Sequence, residues 1–173
     1  MNRTHFAITI VFNVLLTAIM MATPDNKVSI IYAQQLDNNI IEVGSHGIGI
    51  DSDGNIFINT LNNAKIQKFT NDGKFIKEWG SEGTGPGQFT LELEHLKVDL
   101  ADRIFITDGA ANPRVQVFDN DGKFLTEFGE MGSGDGQFKK PEHVAFNEKD
   151  KKATAYVVDR GNQRTQAFLP CQE

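Results

Sequence analysis

With a single cysteine, Cys171, in 173 residues, the chain cannot be a disulfide framework or a cysteine-rich zinc module. Basic clusters are also missing: 17 Lys and Arg stand against 23 Asp and Glu, and none forms a longer run than a short pair. That acidic balance, a net charge of −6, argues against nucleic acid and anionic membrane as partners. Glycine is missing from the first quarter, because all 16 glycines lie at or beyond Gly44. Long hydrophobic runs are missing too, apart from one at the N-terminus. At 39% hydrophobic and 23% charged residues, the chain is globular rather than disordered.

The exceptional run reads as an address. Arg3 precedes Phe6–Ala22, 17 residues whose only polar members are Thr9, Asn13 and Thr17. A positive start followed by a short apolar run predicts a secretory signal over 1–33, with cleavage after Ala33 preferred to Ala22. The other reading is a retained anchor, although 17 residues is at the low edge for spanning a bilayer. Either route places residues 34–173 in a secreted or cell-surface setting, touching a membrane only through the N-terminal segment.

The remainder repeats itself. Asn71-Asp72-Gly73-Lys74-Phe75 returns as Asn120-Asp121-Gly122-Lys123-Phe124, and 12 of 19 positions agree between 71–89 and 120–138. Roughly one match is expected by chance from ordinary residue usage. A second series pairs Gly54–Ile58 with Asp102–Ile106, and Ile104–Asp108 with Ala155–Asp159. A third comprises Lys65–Phe69, Arg114–Phe118 and Arg164–Phe168. The β-branched and aromatic runs Ile56–Ile58 and Ile104–Ile106 predict strands covered on both faces. The half-alternating Ile66–Phe69 and Val115–Phe118 predict strands nearer the solvent. Asp-Gly pairs punctuate the units, since glycine accepts positive φ. Four short strands per unit of this size is the signature of a propeller blade.

The ordered elements His46–Asp51, Asp53–Ile58, Arg114–Phe118, Asp72–Phe75 and Gly83–Phe89 resemble the NHL repeat over nearly all of Leu36–Leu169. The resemblance implies an all-β fold, a six-bladed β-propeller. It also implies membership of a family that mostly binds proteins, RNA or carbohydrate, with a minority of metal-holding enzymes such as amidating lyases. Where the family has Asp, Asn and Arg about the second-to-third strand turn, this chain has Asp108, Asn112, Arg114 and Asp159, Asn162, Arg164. The first unit departs, with Asn59, Asn63 and Lys65. Ubiquitin ligases also carry NHL repeats, but one cysteine leaves no RING here.

The units, about 46–93, 94–141 and 142–169, supply about three four-stranded blades once a strand at Leu36–Gly44 is added to the last. Glu42-Val43-Gly44 matches Glu78-Trp79-Gly80 and Glu127-Phe128-Gly129. Three blades are too few to close a ring. The arc is therefore either half of a six-bladed ring, completed by a homodimer exchanging the Leu36–Gly44 strand, or a piece of a longer gene product.

Candidate sites follow. His95 and His143, preceded by Glu94 and Glu142, start inner strands and offer a zinc or ligand rim; packing between blades is the plainer role. The strand period turns His46 to the opposite side. Asp51-Ser52-Asp53-Gly54-Asn55 opens like a calcium loop, but Ile56 and Asn62 stand where glycine and glutamate are needed, so it predicts a turn. Asp108 with Arg114 and Asp159 with Arg164 predict ion pairs within a blade, and these loop residues, with Asn112 and Asn162, are the expected ligand contacts. The Gly-rich loops Ser81–Phe89 and Glu130–Phe138 precede no helix and read as connections between blades, with Phe89 and Phe138 as plugs. No nucleophile–base pair is visible and no cofactor is assigned. The expectation is a non-catalytic module binding protein or glycan; the alternative is a metal-dependent enzyme of the lactonase or amidating-lyase kind.

Overall fold

The structure, a computed structural model, describes residues 20–22, 28–30, 46–60, 63–109, 111–147 and 154–169. The chain divides into two compact units, 1–36 and 37–173. In the first, β1 (Met20–Ala22) pairs antiparallel with β2 (Val28–Ile30). Most of the leader assigned to 1–33, and the whole Leu36–Gly44 strand, lie outside the described residues.

The second unit is a row of antiparallel meanders. The first blade holds β3 (Ile48–Ile50), β4 (Ile56–Thr60), β5 (Lys65–Phe69) and β6 (Phe75–Trp79), paired in chain order. The next holds β7 (Leu93–Val98), β8 (Ile104–Asp108), β9 (Arg114–Phe118) and β10 (Phe124–Phe128). The third holds β11 (Pro141–Asn147), β12 (Thr154–Asp159) and β13 (Arg164–Phe168). A single 3-10 turn, Arg160–Asn162, is the only helical element among the described residues.

Local chemistry sets the hairpins. Asp51, Asp99 and Asp119 each turn a carboxylate oxygen onto the backbone N–H groups two and four residues on, closing a tight turn. Where the first blade has Gly54 at φ 85°, the second has Asp102 at φ 56°. The aspartate serves a second purpose there: its carboxylate accepts bonds from Ser52 N and Oγ at 2.8 and 2.6 Å, tying neighbouring turns together. Asp51 opens a turn, as the sequence predicts. Burial by itself would raise its pKa, but hydrogen bonds from Asn120 and Asn55 outweigh that and hold it below the usual carboxylate range.

Two apolar layers lie between the blades. Phe57, Ile66, Phe89, Leu96, Ile106 and Phe118 fill the layer between the first and second. Phe105, Val115, Val117, Phe138, Val144 and Val157 fill the layer between the second and third. Phe89 and Phe138 are fully buried, so the Gly-Gln-Phe ends of the connecting loops do plug the seams.

One expectation needs correcting. The third strands, β5 and β9, are not nearer the solvent: all of β9 and four of five residues in β5 are buried. The outer strands β6 and β10 cover them, and the polar Gln116 and Arg114 are buried because loop backbone satisfies them.

Candidate functional site

The starts of β7 and β11, the ends of β8 and β12 and the connecting loops share one end of the blades, because β7 pairs Leu93 with Asp108 and β11 pairs Pro141 with Asp159. Both classes of candidate residue gather there.

The histidines come first. A register irregularity between Leu93 and His95 recurs between Pro141 and His143, and the two imidazoles face each other with ring centroids 4.8 Å apart. His95 Nδ1 accepts a bond from the backbone N–H of Val144 at 3.4 Å. The backbone N–H of His95 donates to Thr107 Oγ1 at 2.8 Å, and that hydroxyl lies 3.3 Å from the carbonyl of Glu142. Burial, then the neighbouring His143 and Lys97, pushes the His95 pKa down to about 4, so the ring is neutral at pH 7. His46 stands apart from the pair, with its Nδ1 3.6 Å from Glu94 Oε2. Glu94 also takes Lys140 at 3.0 Å, and Glu142 takes Arg160 at 2.8 Å. Together these residues make a polar rim with contributions from all three blades.

The rim does not supply a zinc site by itself. Zinc takes three or four protein ligands, and no group of three or more His, Cys, Asp or Glu able to hold a metal ion occurs among the described residues. His95 and His143 meet as a pair without a third donor.

The Asp–Asn–Arg sets sit beside the rim and face the Gly-rich loops. Arg114 lies 3.4 Å from Asp108 and 2.8 Å from Glu127 on β10. It also donates to the carbonyls of Thr84, Gly85 and Gln88 at 2.8, 3.0 and 2.8 Å. Asp108 accepts from the N–H and hydroxyl of Thr90, and Asn112 donates to Thr84 O at 3.3 Å. The third blade repeats the device. Arg164 lies 3.5 Å from Asp159 and donates to Gly134 O and Gln137 O at 2.5 and 2.7 Å. Asp159 accepts from the N–H groups of Lys139 and Lys140, and Asn162 donates to Gly132 O at 2.8 Å. The expected ion pairs form, and these six residues spend much of their hydrogen-bonding capacity on loop backbone.

The equivalent acids are shifted in opposite directions. Burial raises the pKa of Asp108 more than Thr90 and Arg114 lower it. For Asp159 burial also raises it, but the bonds from Lys140, Asn162 and Lys139 prevail and it ends below the usual value.

In the first blade, register places Thr60, rather than Asn59, opposite Lys65, as Asp108 is opposite Arg114. Asn59 instead bridges blades, accepting from Gly47 N and donating to Leu93 O at 3.0 Å. Lys65 keeps one part of the arginine's role and pairs with Glu78 on β6.

Sequence reasoning missed Thr107, Lys140, Arg160 and the glutamines. Gln116 and Gln166 clasp their loops through paired bonds, Gly87 N and Gly136 N to the side-chain oxygen and the amide NH2 to Gln88 O and Gln137 O. Their signal was present in the recurring Arg-x-Gln-x-Phe.

Similarities to known proteins agree with this geometry. Residues 92–165 match a family described as a 6-bladed beta-propeller. A streptogramin B lyase structure superposes with a TM-score of 0.53 at 17% identity, over 73% of this chain and 40% of that one. A protein of unknown function from Bacteroides thetaiotaomicron VPI-5482 superposes with a TM-score of 0.61 at 15% identity, over 84% and 40%. No curated protein matches the sequence. The chain thus spans about 40% of the length of the structures it superposes on. At these identities the likeness is one of fold: the chain is all-β, with the blades of a β-propeller.

Proposed function

We propose that the chain is an exported, non-catalytic propeller segment of NHL type that binds a protein or glycan ligand at the rim formed by His46, Glu94, His143, Lys140, Glu142 and Arg160. The observation that carries this reading is the layout of the rim. Partly exposed donors and acceptors from all three blades converge at one end, held by pairs such as Lys140–Glu94 and Arg160–Glu142. Such solvent-facing pairs contribute under about 1 kcal/mol each, so a ligand's hydroxyls or backbone amides exchange for them at small cost. The framework beneath is rigid, because Arg114 and Arg164 fix the flanking loops. Export rests on Arg3 and the apolar Phe6–Ala22.

A second reading is favoured by one observation. His95, neutral at pH 7 and packed on His143, is an imidazole in the form that acid–base or metal chemistry uses. It makes the chain part of a lyase- or lactonase-like enzyme.

Calorimetric titration of the full chain with a panel of oligosaccharides and extended peptides separates the two, run beside metal analysis and zinc titration of wild type and His95→Ala. The binding reading expects a ligand whose affinity falls tenfold or more in Glu94→Gln with Arg160→Gln, while the melting temperature holds. Affinity unchanged by that pair of substitutions refutes the rim. Stoichiometric zinc or calcium, lost in His95→Ala, favours the enzyme.

A further inference from the structure

The outer edge of β13 differs from its counterparts. β5 and β9 are each covered by a fourth strand, β6 or β10, whereas no strand pairs with the outer side of β13 among the described residues. An open cleft of about 610 Å³ runs along it, lined by Asp135, Gly136 and the β13 residues themselves. An uncovered strand edge is a template for another strand.

The neighbouring blades specify what that strand must carry. On β6, Glu78 stands opposite Gln67 and reaches Lys65, two residues back. On β10, Glu127 stands opposite Gln116 and reaches Arg114 at 2.8 Å. On β13 the corresponding residues are Gln166 and Arg164. Among the described residues Arg164 pairs with Asp159 but has no counterpart of the Glu127 that Arg114 holds. Arg164 Nε, 3.5 Å from Asp159 Oδ2, is buried and makes no hydrogen bond. The arginine side chain is 27% exposed, against 3% for Arg114. The missing strand therefore brings a glutamate to lie opposite Gln166.

The two ends of the row of blades are also complementary. Ile48 and Ile50 of β3 are each 61% exposed. Leu96 and Val98, at the same register positions in β7, are buried against the preceding blade. At the far end, Tyr156 and Val158 stand exposed on β12 at the positions of the buried Phe105 and Thr107. Each chain thus shows one face that seeks a following blade and one that seeks a preceding blade.

We propose that a second copy of this chain covers both. Its segment Leu36–Gly44 adds to β13 as the fourth strand, with Glu42 opposite Gln166 and paired to Arg164. Only three residues separate Gly44 from Ile48, a span of at most about 14 Å. Seating that strand therefore brings the same copy's Ile48 and Ile50 onto Tyr156 and Val158 of the first. The contact is heterologous at each seam, yet two seams related by a two-fold axis close the assembly.

Sedimentation equilibrium on the full chain tests this with a charge swap. Wild type sediments at twice the mass of one chain. Glu42→Arg alone and Arg164→Glu alone each sediment at half that mass, because like charges meet at both seams. Mixed in equal amounts the two variants restore the dimer, since every seam then joins opposite charges. A wild-type monomer overturns the proposal, as does a mixture that stays monomeric. Arg164→Glu also removes the bonds to Gly134 and Gln137. Ile50→Lys, at an exposed position of β3, therefore serves as an independent variant, and a dimer that survives it refutes the docking of the two faces.

Discussion

Acidifying the solution from pH 7 to pH 5 acts on His95 before it acts on the buried carboxylates. The folded chain holds this imidazole at about 4, against an ordinary value of 6.5, because the ring is buried and faces His143 and Lys97. The folded pKa lies below the unfolded one, so the unfolded chain takes up the proton first. The contribution of His95 to stability is therefore full above pH 6.5 and is lost as pH falls from 6.5 towards 4. At about 1.36 kcal/mol per pKa unit the ceiling is about 3.4 kcal/mol, of which about 2 is lost by pH 5. Water reaching the partly exposed ring screens the effect, leaving about 1–2 kcal/mol. Urea unfolding of wild type and His95→Gln at pH 7, 6 and 5 isolates it, since carboxylates shared by both proteins cancel in the difference. Wild type is expected to lose that amount relative to the variant. Parallel pH dependence, or an NMR titration of the His95 ring near 6.5, refutes the reasoning.

The remaining predictions concern the loops. Arg114→Met strands buried Asp108 and frees the carbonyls of Thr84, Gly85 and Gln88, and is expected to cost about 3–5 kcal/mol in urea unfolding. Arg164→Met, with fewer partners and more exposure, is expected to cost clearly less; equal losses refute the comparison. Gly80→Ala places a methyl 2.7 Å from Ala64 O and 2.8 Å from Phe89 Cε2 at φ 100°, whereas Gly136→Ala, at φ 76°, meets nothing within 4 Å. Gly136→Ala should cost only the left-handed backbone, about 1–2 kcal/mol, and Gly80→Ala distinctly more by thermal melting. Asp159, with its pKa lowered, contributes stability above the ordinary carboxylate pKa of 3.8 that is lost as pH falls through its folded value. Asp108, with its pKa raised, contributes in the opposite sense, favouring the fold below that range and losing this as pH rises through its folded value. Asp159→Asn should flatten the acid limb of a stability curve and Asp108→Asn should steepen it. Shifts in the same direction would contradict the assignment.

Much of the fold was legible in the sequence, because a repeat prints the same physics more than once. Gly87-Gln88-Phe89 and Gly136-Gln137-Phe138 announced two buried plugs, and Asp53-Gly54, Asp72-Gly73 and Asp121-Gly122 marked turns through the positive φ their glycines adopt. The meaning of Ile66–Phe69 and Val115–Phe118 was not legible. Local alternation cannot reveal that an outer strand and a returning loop cover a strand, so their polar residues read as solvent-facing. The Asp–Asn–Arg sets illustrate the same limit. Their spacing foretold ion pairs, but only the path of the preceding loop shows Arg114 reaching the carbonyls of Thr84, Gly85 and Gln88.

The sequence by itself determined that one cysteine supports no cysteine-rich module, that the charge is acidic, and that the units repeat as short strands in blades. These follow from composition, periodicity and turn chemistry, which act between residues close in the chain. Tertiary structure decided that His95 meets His143 48 residues away, and that Thr107 links the backbone at His95 to that at Glu142. It also decided that, among the described residues, no acid stands to Arg164 as Glu127 stands to Arg114. Those facts depend on which blades stack and on which strand edge is covered, and no local pattern carries that information.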